Sequence, residues 1–94
     1  MANQAPVAWV TGGTGGIGTA ICRSLADAGY LVVAGYHNPD KAKTWLATQQ
    51  ADGYNNIALS GVDLSDHNAC VEGAREIHET HGPISVLVNC AGIT

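Results

Sequence analysis

The chain has 94 residues, of which 46% are hydrophobic, and its eight Asp and Glu outnumber its four Lys and Arg. This length predicts a single small domain, and the acidic balance with few aromatic residues argues against a nucleic-acid partner. No apolar run reaches the roughly 20 residues of a membrane-spanning helix, and the opening MANQAP lacks the basic and apolar segments of a signal peptide.

The first predicted element is a strand at residues 7–10, VAWV, which is apolar at successive positions. Such a run suits a strand that is covered on both faces, as in a parallel sheet. A helix is predicted at residues 16–28, with Gly29 in the position of a C-terminal cap. Apolar spacings of four, four and three predict the face that packs on the sheet, namely Ile17, Ile21, Leu25 and Ala28.

Two further helices alternate with three further predicted strands, at residues 31–35, 57–62 and 84–89. Asn38 suits the N-cap of the second helix, which is predicted at residues 39–51. Ser65 or Asp66 suits the N-cap of the third helix, which is expected to end at Gly82.

The alternation βαβαβαβ predicts an α/β fold with a doubly wound, Rossmann-type parallel sheet and right-handed crossovers. In such a sheet the strands lie in the order 3-2-1-4, and ligands bind at the carboxyl ends of strands one and four. The fourth strand, ISVLVN, is then an apolar edge. We therefore expect this stretch on its own to associate or to fold poorly.

A glycine-rich stretch, TGGTGGIG, joins the first strand to the first helix. It matches G-x-G-x-x-G at Gly13, Gly15 and Gly18, and T-G-x-x-x-G-x-G at Thr11, Gly12, Gly16 and Gly18. A nucleotide-triphosphatase loop needs Lys after its last glycine, but position 19 is Thr. First-turn N–H groups lack helical partners, so we expect an anion such as a pyrophosphate there. The plainer alternative is a surface turn.

The three cysteines are odd in number and form no C-x-x-C, which is typical of buried free thiols in a reducing cytoplasm. They are Cys22, Cys70 and Cys90, and we expect a cytoplasmic protein. His67, His78 and His81 lie on or near the third helix. We interpret them as solvated side chains and predict no metal site.

Three motifs in order resemble the short-chain dehydrogenase/reductases: TGGTGGIG after strand one, Asp63-Leu64 after strand three and VNCAG after strand four. The run AWVTGGTGGIGTAICRSLADAGYLVVAG is similar to the acetoacetyl-CoA reductases of polyhydroxyalkanoate synthesis within that family. Cys90 departs from the pattern, because the family usually has a second Asn there. The resemblance implies that residues 1–94 are the N-terminal, dinucleotide-binding part of a single-domain enzyme.

The resemblance also implies which residues contact the cofactor. The loop residues are Gly12, Gly13, Thr14, Gly15, Gly16, Ile17 and Gly18, and the residues beside the ribose and nicotinamide are Asn89, Ala91 and Gly92. Thr11 is expected to pin the loop through its hydroxyl. Asp63 is expected to accept a hydrogen bond from the adenine amino group, with Leu64 beside the ring. Asp63 as a simple turn or cap residue is the alternative.

The end of the second strand indicates which nicotinamide cofactor is used. Enzymes that prefer NAD usually carry an acid there for the ribose 2′-hydroxyl, but this chain has Gly35, Tyr36 and His37. Lys41 or His37 can pair with a 2′-phosphate, although Lys41 can equally be a solvated residue. Asp40 can repel a phosphate or simply favour the helix N-terminus. We expect NADP(H).

In this family the chemistry rests on Ser and a Tyr-x-x-x-Lys motif, which the 94 residues lack, so no catalytic residue is assigned. The resemblance implies NADPH-dependent reduction of a 3-oxoacyl thioester, such as acetoacetyl-CoA, by a full-length homotetramer. The alternatives are a 3-oxoacyl-acyl-carrier-protein reductase and a nucleotide-binding sensor domain without turnover.

Overall fold

The computed structural model describes residues 5–62 and 65–90, which form a four-stranded sheet and three helices. The elements are β1 (Val7–Thr11), α1 (Gly16–Asp27), β2 (Leu31–Gly35), α2 (Pro39–Ala51), β3 (Ile57–Ser60), α3 (His67–His81) and β4 (Ile84–Asn89). All neighbouring strands are parallel, in the order β3-β2-β1-β4. The predicted doubly wound α/β architecture is therefore confirmed.

Strand β1 lies at the centre of the core, between β2 and β4. All five of its residues are buried, which explains why its sequence is apolar without alternation. Val10 packs in one cluster with side chains of α1 and α2, whereas Trp9 packs with Ile77 of α3 in a second cluster. The helices thus cover both faces of the sheet, and a ligand can bind at the ends of its strands.

The buried face of α1 differs from the predicted stripe. Gly18, Cys22 and Ala26 are the buried residues of this helix, whereas Ile17 is 58% exposed and Ala28 is exposed. Small side chains allow the helix to approach the strands closely, so the inward face is displaced by one residue. The predicted Ile21 and Leu25 are half-buried beside this contact.

Side chains cap the second and third helices, as the sequence predicts. The Asn38 Oδ1 atom accepts hydrogen bonds from the backbone N–H groups of Asp40 and Lys41, at 3.0 and 3.1 Å. Asp66, and not Ser65, is the N-cap of α3. Strand β3 ends at Ser60, two residues earlier than predicted.

Arg23 joins α1 to the turn after α2. Its Nε donates to Gln49 at 2.6 Å, and its Nη2 lies 2.6 Å from the carboxylate of Asp52. The guanidinium also lies 4.9 Å from the ring centroid of Tyr54. These contacts fix the orientation of α1 relative to α2.

Strand β4 is at the edge of the sheet, as predicted, and Leu87 on it is 62% exposed. Whether the stretch associates through this edge stays a prediction. Within the described ranges, no helix is both long and apolar enough to span a membrane.

Candidate functional site

A cavity of about 740 Å³ lies at the carboxyl ends of β1, β2 and β3, and this volume is typical of small-molecule sites. Its walls combine the glycine-rich loop, the ends of these strands and the residues that follow them. The lining residues are Trp9, Thr11, Gly12, Thr14, Gly15, Gly35, Tyr36, His37, Ser60, Gly61, Val62, Ser65 and Cys90. The site therefore lies at the carboxyl ends of the strands, as predicted, but along β1, β2 and β3 and not at strands one and four alone; Cys90, which follows β4, is also in its lining.

The backbone of the loop presents the start of α1 to the cavity. Gly12 has a φ of 67°, which favours glycine, and the Gly15 N–H donates to the Gly12 carbonyl at 3.2 Å. Gly15 is the N-cap residue of α1, but no side chain caps this helix and its first turn holds no acid. The first-turn N–H groups and the positive end of the helix dipole are therefore available to an anion.

Some loop glycines are required by packing. A Cβ at Gly13 would lie 2.9 Å from the Val10 carbonyl oxygen, and a Cβ at Gly18 would collide with the Gly12 carbonyl oxygen. A Cβ at Gly35 would lie 3.2 Å from the Cα of Thr11. At these positions glycine allows the loop, α1 and β2 to approach one another.

Gly16 has no such reason to be glycine. It is exposed, its φ is not positive, and a Cβ there would meet nothing within 4 Å. Gly15 is similar, since the only neighbour of its Cβ would be the Gly12 carbonyl oxygen at an ordinary 3.6 Å. These two positions form an open cradle beside uncapped amides. That arrangement fits the diphosphate of a dinucleotide, which must approach the backbone closely.

Thr11 contacts β4 and not the loop, so its predicted role is wrong. Its hydroxyl lies 2.9 Å from the Asn89 Oδ1 atom and 3.3 Å from the Val88 carbonyl oxygen. The hydroxyl has one proton and can donate to one of these oxygens at a time. The contact joins the ends of β1 and β4 and orients the Asn89 side chain.

Of the residues predicted to lie near the 2′-phosphate of NADP(H), one is on the cavity wall and two are outside it. His37 is exposed and lines the cavity, whereas Lys41 and Asp40 lie outside its lining, in the first turn of α2. No acid is present among the described residues of the lining. The charge of the described wall is therefore compatible with a phosphate.

Tyr36 lines the cavity, although no sequence motif predicts it as a site residue. Its backbone N–H donates to the Ser60 carbonyl at 3.1 Å. Its hydroxyl lies against Gly61, so that a Cβ added at Gly61 would be only 2.5 Å from the hydroxyl oxygen. The ring therefore covers the end of β3. Only the pairing of β2 with β3 brings these residues together, so no local pattern could have revealed the contact.

The predicted cofactor residues thus fall into three groups. Those that line the cavity are Gly12, Thr14, Gly15 and His37. Those that the structure describes outside the lining are Gly13, Gly16, Ile17, Gly18, Lys41 and Asn89. Those that lie outside the described residues are Asp63, Leu64, Ala91 and Gly92.

Two buried cysteines lie behind the loop. The Cys22 thiol donates to the Gly13 carbonyl at 3.6 Å, and the Cys90 N–H donates to the Thr11 carbonyl at 3.0 Å. Burial, with a smaller effect from Cys90, raises the pKa of Cys22 to about 12, so its thiol stays protonated. Cys22 and Cys90 are buried thiols, as predicted, whereas Cys70 is only half-buried. No metal-binding cluster of His, Cys, Asp or Glu occurs within residues 5–62 and 65–90.

Comparison with known proteins relates this geometry to a family. The short chain dehydrogenase family matches residues 6–94. The acetoacetyl-CoA reductase of Allochromatium vinosum is 47% identical over 97% of this chain and 37% of its own length. That of Shinella zoogloeoides is 48% identical over 94% of this chain and 34% of its own length.

Solved structures of a ketoreductase and of a short-chain oxidoreductase are similar to this chain in fold. An F189W actinorhodin polyketide ketoreductase with NADPH has a TM-score of 0.86 at 32% identity, over 98% of this chain and 35% of that one. A metagenomic short-chain oxidoreductase in complex with NADP has a TM-score of 0.77 at 32% identity, over 89% of this chain and 38% of that one. This chain spans little more than a third of the length of these proteins. It belongs to the short-chain dehydrogenase family of oxidoreductases.

Proposed function

We propose that these residues supply the cofactor site of an NADPH-dependent reductase that converts a 3-oxoacyl thioester of the acetoacetyl-CoA type to the 3-hydroxyacyl form. The names of the relatives support the substrate class. The observation that carries the cofactor role is the open start of α1. There, uncapped amides lie beside Gly16, a glycine that the packing does not require.

Each part of the site has its own task in this proposal. The amides at the start of α1 bind the diphosphate, and Asp63 and Leu64 contact the adenine. Asn89, Ala91 and Gly92 border the ribose and nicotinamide. When bound, the nicotinamide supplies the hydride that the carbonyl carbon receives. The task of this chain is to hold that group in place.

The preference for NADP(H) is part of the same proposal. Lys41 in the nearby first turn of α2 provides a cation for the 2′-phosphate, and His37 on the cavity wall provides a ring N–H. An acid that would bind the 2′-hydroxyl of NAD is not found among the described lining residues. Asp40 acts as a helix N-terminal acid in this scheme, since it lies in the first turn of α2.

Proton transfer requires residues that these 94 do not contain. None of Tyr30, Tyr36 or Tyr54 is followed by Lys four positions later. We therefore propose that this stretch alone does not catalyse the reaction. We further propose that the active protein is a cytoplasmic homotetramer of longer chains, with no nucleic-acid or membrane partner.

The test uses the full-length protein and follows the loss of NADPH absorbance with acetoacetyl-CoA. We expect turnover with NADPH and a lower kcat/KM with NADH. Faster turnover with acetoacetyl-acyl-carrier protein than with the CoA ester would replace the proposed substrate. Tight NADPH binding without turnover on either thioester would indicate a sensor. Failure to bind either cofactor at millimolar concentration would overturn the site itself.

A further inference from the structure

A chain of two hydrogen bonds links α2 to the glycine-rich loop. The indole Nε1 of Trp45 donates to the Thr19 Oγ1 atom at 2.8 Å, and that hydroxyl donates to the Gly15 carbonyl at 2.6 Å. A hydroxyl has one proton and two acceptor sites. The Thr19 hydroxyl donates its proton to the Gly15 carbonyl, and its oxygen accepts the hydrogen bond from the indole N–H. The two hydrogen bonds therefore run in one direction, from Trp45 through Thr19 to Gly15.

The chain of bonds joins two parts of the candidate site. Gly15 is the N-cap residue of α1 and lines the cavity. Trp45 lies in α2, one turn after Lys41, and His37 precedes that helix on the cavity wall. Trp45 is also half-buried against the core cluster that includes Cys22. The ring therefore packs on the core, and its N–H donates to Thr19 of α1.

We propose that Trp45 and Thr19 are positioning residues that set the separation between the loop and the start of α2. This inference rests on the proposed function, in which the loop holds the diphosphate and His37 and Lys41 hold the 2′-phosphate. NADPH must reach both places at once, whereas NADH has no 2′-phosphate. The two bonds therefore contribute to the preference for NADPH, beyond any contribution to folding.

A purely local role for Thr19 makes a different prediction. Threonine in a helix often bonds the carbonyl four residues earlier without any help, and the Thr19 N–H also donates to Gly15, at 2.8 Å. In that case the Trp45 bond would add only stability to the fold. The ratio of NADH to NADPH dissociation constants distinguishes the two roles, because a general loss of stability affects both cofactors alike.

The experiment measures both dissociation constants, by calorimetric titration, for the full-length protein and its variants. Trp45→Phe keeps an aromatic ring and removes the N–H, and Thr19→Val keeps the shape and removes the hydroxyl. We expect each to weaken NADPH binding about fivefold, the equivalent of one hydrogen bond, with a smaller effect on NADH. We expect Thr19→Ser to bind as the wild type does. The double variant should be no weaker than Thr19→Val, because the bonds act in series.

Asp52→Ala is the matched control, since the Asp52 carboxylate accepts a hydrogen bond from Arg23 of α1 at the C-terminal end of α2, the end opposite to His37 and Lys41. It should lower the unfolding temperature and leave the cofactor ratio unchanged. A Trp45→Phe variant with the wild-type ratio of dissociation constants would overturn the inference while leaving the proposed function intact. If Trp45→Phe does not fold, Thr19→Val carries the same test. A wild type that binds neither cofactor would instead overturn the proposed function.

Discussion

The N-termini of α1 and α2 lie at the same edge of the sheet. Each helix has first-turn N–H groups without helical partners, and the two helices differ in what is provided to bind these groups. At α2 the Asn38 side chain accepts two first-turn N–H groups, and Asp40 adds a negative charge. At α1 the N-cap is Gly15, without a capping side chain and without an acid. Side chains of the protein therefore bind the first-turn N–H groups of α2, whereas those of α1 remain available to an external anion. The comparison indicates that a helix N-terminus without a capping side chain can mark an anion-binding site.

Gly18→Ala gives the largest expected effect, because the start of α1 is also a packing site. Its Cβ would collide with the Gly12 carbonyl oxygen and lie 2.7 Å from the Gly13 Cα. We expect a loss of about 3 kcal/mol in the free energy of unfolding, as for an overpacked core. Urea unfolding of the full-length variant without cofactor measures it. Wild-type stability would show that the loop does not pack closely on α1.

Gly16→Ala separates binding from folding at the same helix start. Its Cβ meets nothing within 4 Å, so the free energy of unfolding should not fall. The methyl group would occupy the cradle beside the free amides, and we expect NADPH binding to weaken about thirtyfold, or by about 2 kcal/mol. Fluorescence titration of NADPH checks this, with Gly18→Ala as the contrasting variant. Unchanged affinity would mean that the diphosphate binds elsewhere.

The sequence predicted the strand order and the contrast between these helix starts, because periodicity, caps and glycine spacing are local signals. It predicted the wrong inward face for α1, since Gly18 and Ala26 carry little apolar signal although close packing places them inward. It also missed Tyr36 above Gly61, because the sheet brings them together.

The bond from Trp45 to Thr19 also escaped prediction, since it depends on how α2 lies against α1. Asp63 and Leu64 stay predictions, because they lie outside the described residues.

Asn38→Ala tests the protein-capped side of the comparison. It removes the acceptor of the Asp40 and Lys41 N–H groups, and we expect the free energy of unfolding without cofactor to fall by about 1 kcal/mol. Asn38→Asp should retain the stability, because its carboxylate can accept the same bonds. Thermal unfolding of the two variants beside Gly16→Ala provides the measurement. A loss as large in Gly16→Ala as in Asn38→Ala would remove the distinction between the two helix starts.

Cys22 packs behind the start of α1, and its contribution to stability depends on pH only in the alkaline range. Its thiol donates to the Gly13 carbonyl, and burial raises its pKa from 9.0 to about 12 in the folded protein. The folded pKa is the higher one, so the stabilisation is complete below pH 9 and is lost as the pH rises towards 12.

The measurement is the difference in unfolding free energy between the wild type and Cys22→Ala, followed from pH 7 upwards. The difference should be constant to about pH 9 and then shift in favour of Cys22→Ala, which has no thiol to ionise. A constant difference up to pH 11 would mean that this thiol ionises as easily in the folded state as in the unfolded chain. The Cys22 thiol would then stop donating to the Gly13 carbonyl above about pH 9, and the start of α1 would keep this internal hydrogen bond only below that pH.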